Sequence, residues 1–194
     1  MKIVLLSGAI VGAKTRITLN HAYNMLAEHY PKAEVTVVDL AEYDVQFSDG
    51  RNYWDYDYGG DTRYVAQTVL SAQALIIGAP VYQASIPAPL KNVFDLLPVH
   101  ALRDAVAGII MTAGSARHYL VAEQQLKPIL SYLRAQIVPN YVFVEERDFN
   151  ENDIANPEIL LRIHRLVEDT VALADLYKRM RETPPIADAP NPQR

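Results

Sequence analysis

Short, nearly uninterrupted apolar runs recur along the chain, separated by stretches with a helical rhythm. Lys2–Leu6 (KIVLL), Glu34–Leu40 (EVTVVDL), Ala74–Ala79 (ALIIGA), Ala105–Thr112 (AVAGIIMT) and Gln136–Val144 (QIVPNYVFV) have strand length and read as strands. Between them, Thr15–His29 places Ile17, Leu19, Ala22, Met25 and Leu26 on one helical face, and Asp61–Ala72 sets Val65 and Val69 four apart. Pro89–Leu97 opens with a proline in the first turn, where no N–H is needed. Ala116–Leu133 reads as a fourth helix. Asn156-Pro157 is an N-cap and first-turn pair that starts a fifth, running to about Met180. Strands apolar on both sides are buried on both faces. The pattern therefore predicts an α/β fold, a parallel sheet covered by helices. In such folds, ligands sit beyond the carboxyl ends of the strands, so the segments after the first, third and fourth strands are the ones to question.

Two segments break the alternation. Phe47–Tyr64 is long for a connection and holds Tyr53, Trp54, Tyr56, Tyr58 and Tyr64. A loop of that length is expected to be functional or interfacial. The end, 182–194, is Pro-rich and polar and reads as a disordered tail. With no internal repeat or linker, residues 1–181 form one domain. The formal charge of -5 on 194 residues leaves no basic footprint for nucleic acid or a membrane surface, and the absence of cysteine removes thiolate chemistry. Ile3–Leu6 is too short for the core of a signal peptide, so the expected location is cytoplasmic. His21, His29, His100 and His164 show no metal-ligand spacing, and no metal site is expected.

The segment after the first strand is Ser7-Gly8-Ala9-Ile10-Val11-Gly12-Ala13-Lys14-Thr15-Arg16. A glycine-containing turn that opens a helix offers free backbone N–H groups and the positive end of the helix dipole, which suit a phosphate. Ser7 and Thr15 can add hydroxyls, and Lys14 or Arg16 a positive charge. The plain alternative is a polar turn capped by Thr15. A third reading is a nucleoside-triphosphate loop, G-x-x-x-x-G-K-[ST], with Asp39 as the magnesium-binding carboxylate. Gly8, Lys14 and Thr15 fit it, but Ala13 stands where its second glycine belongs. After the third strand, Pro80-Val81-Tyr82-Gln83-Ala84-Ser85 can set backbone groups and one flat side chain against a planar heterocycle, or can be simply a rigid connection.

These loops resemble those of the NADPH-dependent FMN reductases. That family follows its third strand with Pro-x-Tyr, four residues, Pro-Gly-x-Leu-Lys-Asn, and an Asp three residues after the Asn. Pro80, Tyr82, Pro87, Leu90, Lys91, Asn92 and Asp95 match, with Ala88 in place of the glycine. The first loop is similar to a bacterial variant, Ser-Gly-Ser-Ile-Val-Gly-Ser-Lys-Thr-Arg, with Ala9 and Ala13 in place of two serines that would donate to the phosphate. Thr112-Ala113-Gly114-Ser115, His118 and Leu126-Lys127-Pro128-Ile129-Leu130 resemble the alkanesulfonate-type members. Those carry an inserted tyrosine in the fourth helix. Ala122-Glu123-Gln124-Gln125 has none, which favours a chain that keeps its FMN.

The resemblance, spanning about Met1 to Val144, implies a flavodoxin-like three-layer sandwich with a five-stranded parallel sheet in the order 2-1-3-4-5. It implies FMN as cofactor, reduced by NADPH or NADH. Ser7 and the stretch Ala9, Val11, Lys14, Thr15 and Arg16 would hold the phosphate. Pro80, Val81, Tyr82, Gln83 and Ser85 would meet the isoalloxazine edge. Thr112, Ala113, Gly114 and Ser115 would close the other side, with His118 one turn on and Arg117 facing the nicotinamide 2'-phosphate. Hydride transfer between these cofactors needs no side-chain acid or base, so no catalytic residue is expected. Lys91 and Asp95, four apart, are expected to form a structural ion pair. The resemblance further implies a homodimer or homotetramer, with the aromatic segment at the subunit boundary. Electrons would pass to a small-molecule acceptor (a quinone or azo compound) or to a flavin-dependent monooxygenase. The competing functions are a flavodoxin-type electron carrier without nicotinamide activity and a phosphate-loop kinase or ATPase.

Overall fold

The computed structural model describes residues 1–51, 58–151 and 153–182. Strands β1 (Lys2–Ser7), β2 (Glu34–Asp39), β3 (Ala74–Pro80), β4 (Val106–Ala113) and the consecutive pair β5 (Gln136–Ile137) and β6 (Val142–Glu145) are separated by helices. The helices are α1 (Lys14–His29), α2 (Gly60–Leu70), α3 (Ala88–Leu96), α4 (Lys127–Tyr132) and α5 (Pro157–Glu182). The sheet order is β2-β1-β3-β4-β5, with β6 also on β4, and every pairing is parallel. This is the expected flavodoxin-like order.

Alternation along the strands divides the core in two. Val4, Leu6, Leu75, Ile77, Ile109 and Met111 face one side and pack with Val65, Val69, Leu90, Phe94, Leu126 and Leu130 of α2, α3 and the fourth helical segment. Ile3, Leu5, Ile76, Val106 and Ile110 face the other and pack with Leu19, Met25 and Leu26 of α1 and Ile163, Leu166 and Val167 of α5. The period of two sends successive residues to opposite faces, so both layers of helices are required to bury one strand. Asn156 caps α5 as expected, its Oδ1 accepting from the Glu158 N–H at 3.0 Å.

Two expected elements are interrupted, each by a proline. The fifth strand is split into β5 and β6. Ile137 pairs with Ala107 and Val142 with Ile110, so five steps along this strand oppose three along β4. The excess forms a bulge at Pro139, which has no N–H to give the ladder. The fourth helix is likewise not continuous. A 3-10 turn at Ala116–His118 is followed by a π turn at Ala122–Leu126 before α4 begins. Pro128 cannot donate to Gln124 and its ring would crowd that carbonyl. The wider turn, in which the Lys127 N–H reaches the Ala122 carbonyl, accommodates it.

Within the aromatic segment, Tyr58 is buried and donates to the Arg51 carbonyl at 3.0 Å, while Tyr64 packs on Tyr43 with ring centroids 5.3 Å apart. Tyr53, Trp54 and Tyr56 lie outside the described residues, as do 183–194 of the expected tail. Asn92 of α3 fastens the start of this segment. Its Oδ1 accepts from Ser48 N at 2.8 Å and its Nδ2 donates to the Gln46 carbonyl at 2.9 Å.

Close contact between α5 and the sheet depends on Gly108. A Cβ there would lie 2.5 Å from Thr170 Oγ1, a buried hydroxyl already donating to the Leu166 carbonyl at 2.6 Å. Gly108→Ala is therefore expected to lower stability by about 1–3 kcal/mol. Thermal unfolding should show part of that loss returning when Thr170→Ala is added, because the two sites are in contact.

Candidate functional site

The turns that leave β1, β3, β4 and β6 meet at the carboxyl edge of the sheet around a pocket of about 310 Å³. Its lining comes from Val11, Gly12, Ala13, Lys14 and Thr15 of the first turn, Pro80 to Tyr82 of the second, and Thr112 to Gly114 of the third. Glu146 and Phe149 complete it.

The first turn leaves β1 under tight constraint. The Gly8 N–H donates to the Gly78 carbonyl at 2.8 Å, and a Cβ on Gly8 would press on Leu90 at 3.0 Å. Gly12 has φ +85°, the left-handed region that a side chain resists. α1 then begins at Lys14 with no side-chain cap. The helix start thus presents backbone N–H groups that no capping side chain satisfies. Thr15 is not the cap. It lies inside the helix, buried, with its hydroxyl 2.8 Å from that of Thr112. Ser7 is buried at the end of β1, and its hydroxyl has no partner among the described residues. Such a group is costly to bury unless a ligand or solvent completes it.

The second turn is a two-residue hairpin. Tyr82 and Ser85 exchange both backbone hydrogen bonds at 3.0 Å, and Gln83 and Ala84 between them have φ +48° and +59°. Two non-glycine residues in the left-handed region store roughly 1–2 kcal/mol each, a type of strain found where backbone must be aimed. The Tyr82 hydroxyl donates to the Val11 carbonyl at 3.2 Å, which ties this turn to the first. The Val81 N–H donates to the Thr112 carbonyl at 2.9 Å, which ties it to the third.

The other anticipated residues fall outside the pocket lining. Ala9 is buried beneath the first turn. Gln83 is exposed at the hairpin tip, and Ser85 Oγ is 3.4 Å from Gln125 Oε1. Ser115 precedes the 3-10 turn that carries Arg117 and a half-buried His118. Arg16 turns away to Asp39, with Nε 2.6 Å from Oδ2. Lys91 and Asp95 form the expected ion pair at 2.5 Å.

Glu146 and Phe149 escaped the sequence reading. Glu146 forms an ion pair with Lys14, and the Lys14 ammonium lies 5.5 Å from the Phe149 ring centroid. The signal was available. The charged stretch Glu145-Glu146-Arg147-Asp148-Phe149 follows an apolar strand at the same carboxyl edge as the other three turns. Larger hollows lie away from these turns, two of them lined by aromatic side chains. One, of about 340 Å³, opens at the Pro139 bulge, where burial and neighbouring Tyr119 push the Tyr141 hydroxyl's pKa upward. The other, of about 580 Å³, is an apolar depression around Tyr30 and Val171.

The family model of the NADPH-dependent FMN reductases matches residues 1–149. The chain is 38% identical over 172 residues to an NAD(P)H-dependent FAD/FMN reductase of Geobacillus thermodenitrificans, covering 88% of this chain and 92% of that one. It is 32% identical over 176 residues to an NADH-dependent FMN reductase of Pseudomonas fluorescens, covering 89% and 91%. Among solved structures, an oxidoreductase from Corynebacterium diphtheriae superposes with a TM-score of 0.73 at 24% identity, over 91% of this chain and 98% of that one. That last likeness is one of fold. Among the described residues, no helix is long and apolar enough to cross a membrane.

The contact between Thr15 and Thr112 joins α1 to β4 beneath the pocket. Thr112→Val keeps the shape but strands the Thr15 hydroxyl. Urea unfolding is expected to show a loss of about 1–2 kcal/mol, whereas the Val/Val double variant should recover much of it.

Proposed function

This chain belongs to the NADPH-dependent FMN reductase family, and on that premise we propose that its pocket binds FMN and that the protein reduces it with NADPH or NADH. The observation that carries this reading is the meeting of the turns after β1, β3 and β4 at the uncapped start of α1.

The residues present suit such a group. A phosphate matches the free N–H groups at the start of α1 and the Lys14 ammonium beside them. The unpartnered Ser7 hydroxyl and the empty space around the Gly12 and Gly114 Cα atoms are consistent with a ligand held close to backbone. Pro80 to Tyr82 and Thr112 to Gly114 offer two short backbone walls for a flat ring, and Tyr82 braces one wall against Val11. When bound, FMN supplies the redox chemistry, accepting a hydride from the nicotinamide at its N5. The protein's part is to hold, orient and shield, and no side chain need act as acid, base or nucleophile. Gln83, Ser85, Ser115 and His118 stand outside the lining and would meet only the ligand's outer edge or the nicotinamide. We extend the proposal to a homodimer or homotetramer whose electrons pass to a small-molecule acceptor or a partner monooxygenase.

The triphosphate-loop alternative fits less well. Asp39 would have to reach a magnesium ion, but its carboxylate is buried, faces Arg16 and accepts from the Ala41 N–H at 3.2 Å. Thr15, whose hydroxyl such a loop sets on the magnesium ion, is turned to Thr112.

A visible absorption spectrum with added FMN, before and after anaerobic NADPH, tests the proposal. The expected result is a perturbed flavin band that bleaches on reduction. A bound flavin that neither NADPH nor NADH bleaches would make the protein an electron carrier, and no flavin binding at all would reject both flavin functions.

A further inference from the structure

Glu146 brings a negative charge into the lining of a pocket whose other features favour an anion. The turn that carries it is firmly built. Glu145 and Asp148 form a reciprocal capping box around Glu146–Asp148, with the Glu145 N–H donating to Asp148 Oδ2 at 2.8 Å. Asp148 is buried, and its other carboxylate oxygen accepts from Asn156 Nδ2 at 2.8 Å. Its carbonyl accepts from the N–H groups of Ala155 and Asn156 at 2.8 and 3.2 Å. The corner between β6 and α5 is thereby fixed, with Glu146 and Phe149 held against Lys14. Only the paired side-chain ends are loose. The Lys14 side chain is 38% exposed and that of Glu146 64%, so either can change partner.

We propose that Glu146 is a positioning residue that sets the affinity for the flavin's phosphate, by competing with that phosphate for Lys14. The proposal rests on the FMN reading above. The Glu146 carboxylate is paired with the Lys14 ammonium. A bound phosphate monoester carries nearly two negative charges near neutral pH. To gain Lys14 it must displace Glu146, and the freed carboxylate then remains on a fixed turn beside a like charge. Ala9 and Ala13 supply no hydroxyl donors, so Lys14 carries a larger share of phosphate recognition than it would beside two serines. The consequence is a flavin that exchanges with solution, against the retention implied by the missing tyrosine at Ala122–Gln125. A second consequence is weakened discrimination between flavins with and without a phosphate.

Titration of flavin fluorescence with the full-length protein tests this directly, using FMN and riboflavin as separate probes. Glu146→Gln is expected to bind FMN roughly five- to tenfold more tightly, from relief of one neighbouring like charge in a hydrated site. Riboflavin, which has no phosphate, should bind as it does to the unaltered protein. A change in the shape of the pocket would move both flavins together. The proposal is overturned if Glu146→Gln leaves FMN affinity unchanged or weaker, or if riboflavin gains as much as FMN. If the unaltered protein binds neither flavin, the FMN reading itself fails. If it binds FMN and only the Gln variant's gain is missing, that reading stands and the role of Glu146 falls.

Discussion

The parallel ladder joining β1, β3 and β4 is the constraint from which the site follows. Parallel strands point their carboxyl ends the same way, so the turn after each begins at one edge of the sheet. Register then brings particular residues together. Ser7 pairs with Gly78, and Pro80 with Thr112. The ladder continues past the strands through Gly8 N–H to Gly78 and Val81 N–H to Thr112. Three turns far apart in sequence are thus held within hydrogen-bonding distance of one another before any ligand arrives. The Thr15–Thr112 and Tyr82–Val11 contacts add cross-links between neighbours that the backbone has already aligned.

Helix packing on both faces makes this edge dependable. Gly78 and Gly108 lie in the middle strands and let α1 and α5 approach closely. A Cβ on Gly78 would come within 2.8 Å of Leu19, and one on Gly108 within 2.5 Å of Thr170. The start of α1 is consequently placed by packing rather than by a cap. Its backbone N–H groups need no capping side chain to hold them in position, and they remain available to a ligand.

The elements most legible in the sequence were those fixed by periodic burial. The first four strands, α1, α2, α3 and α5 all follow from runs that must be apolar on one or both faces, and the order of the sheet was implied by the resemblance of the loops to those of the family. The Asn156-Pro157 start of α5 was equally plain, because the cap is local chemistry. What escaped depended on backbone detail or on partners distant in sequence. Pro139 and Pro128 sit within apolar patterns that look continuous, yet each removes an N–H that a strand or helix would use. Arg16 looked like a phosphate ligand beside Lys14, but two steps along a helix turn a side chain through about 200°, and Asp39 of the neighbouring strand claims it. Glu146 and Phe149 belong to a fourth turn at the same edge. The sheet rule covered that turn, but the motifs directed attention elsewhere.

Several local departures from good folding practice lie at that edge. Ser7 is buried without a partner, α1 lacks a side-chain cap, and Gln83 and Ala84 occupy left-handed backbone. Each is unfavourable for folding alone, and the two-sided core is large enough to tolerate them. Their chemistry also agrees in direction. An unsatisfied helix start and a lysine favour an anion, and glycines at positions 12 and 114 admit close approach to backbone. A solvent-exposed turn under no such demand would recruit a Ser, Thr, Asn or Asp cap and place glycine at the left-handed positions, since both changes stabilise without altering the sheet. That α1 begins at Ala13-Lys14, and that the hairpin carries Gln83-Ala84, therefore argues for a ligand that supplies at this edge what the protein's own side chains leave undone.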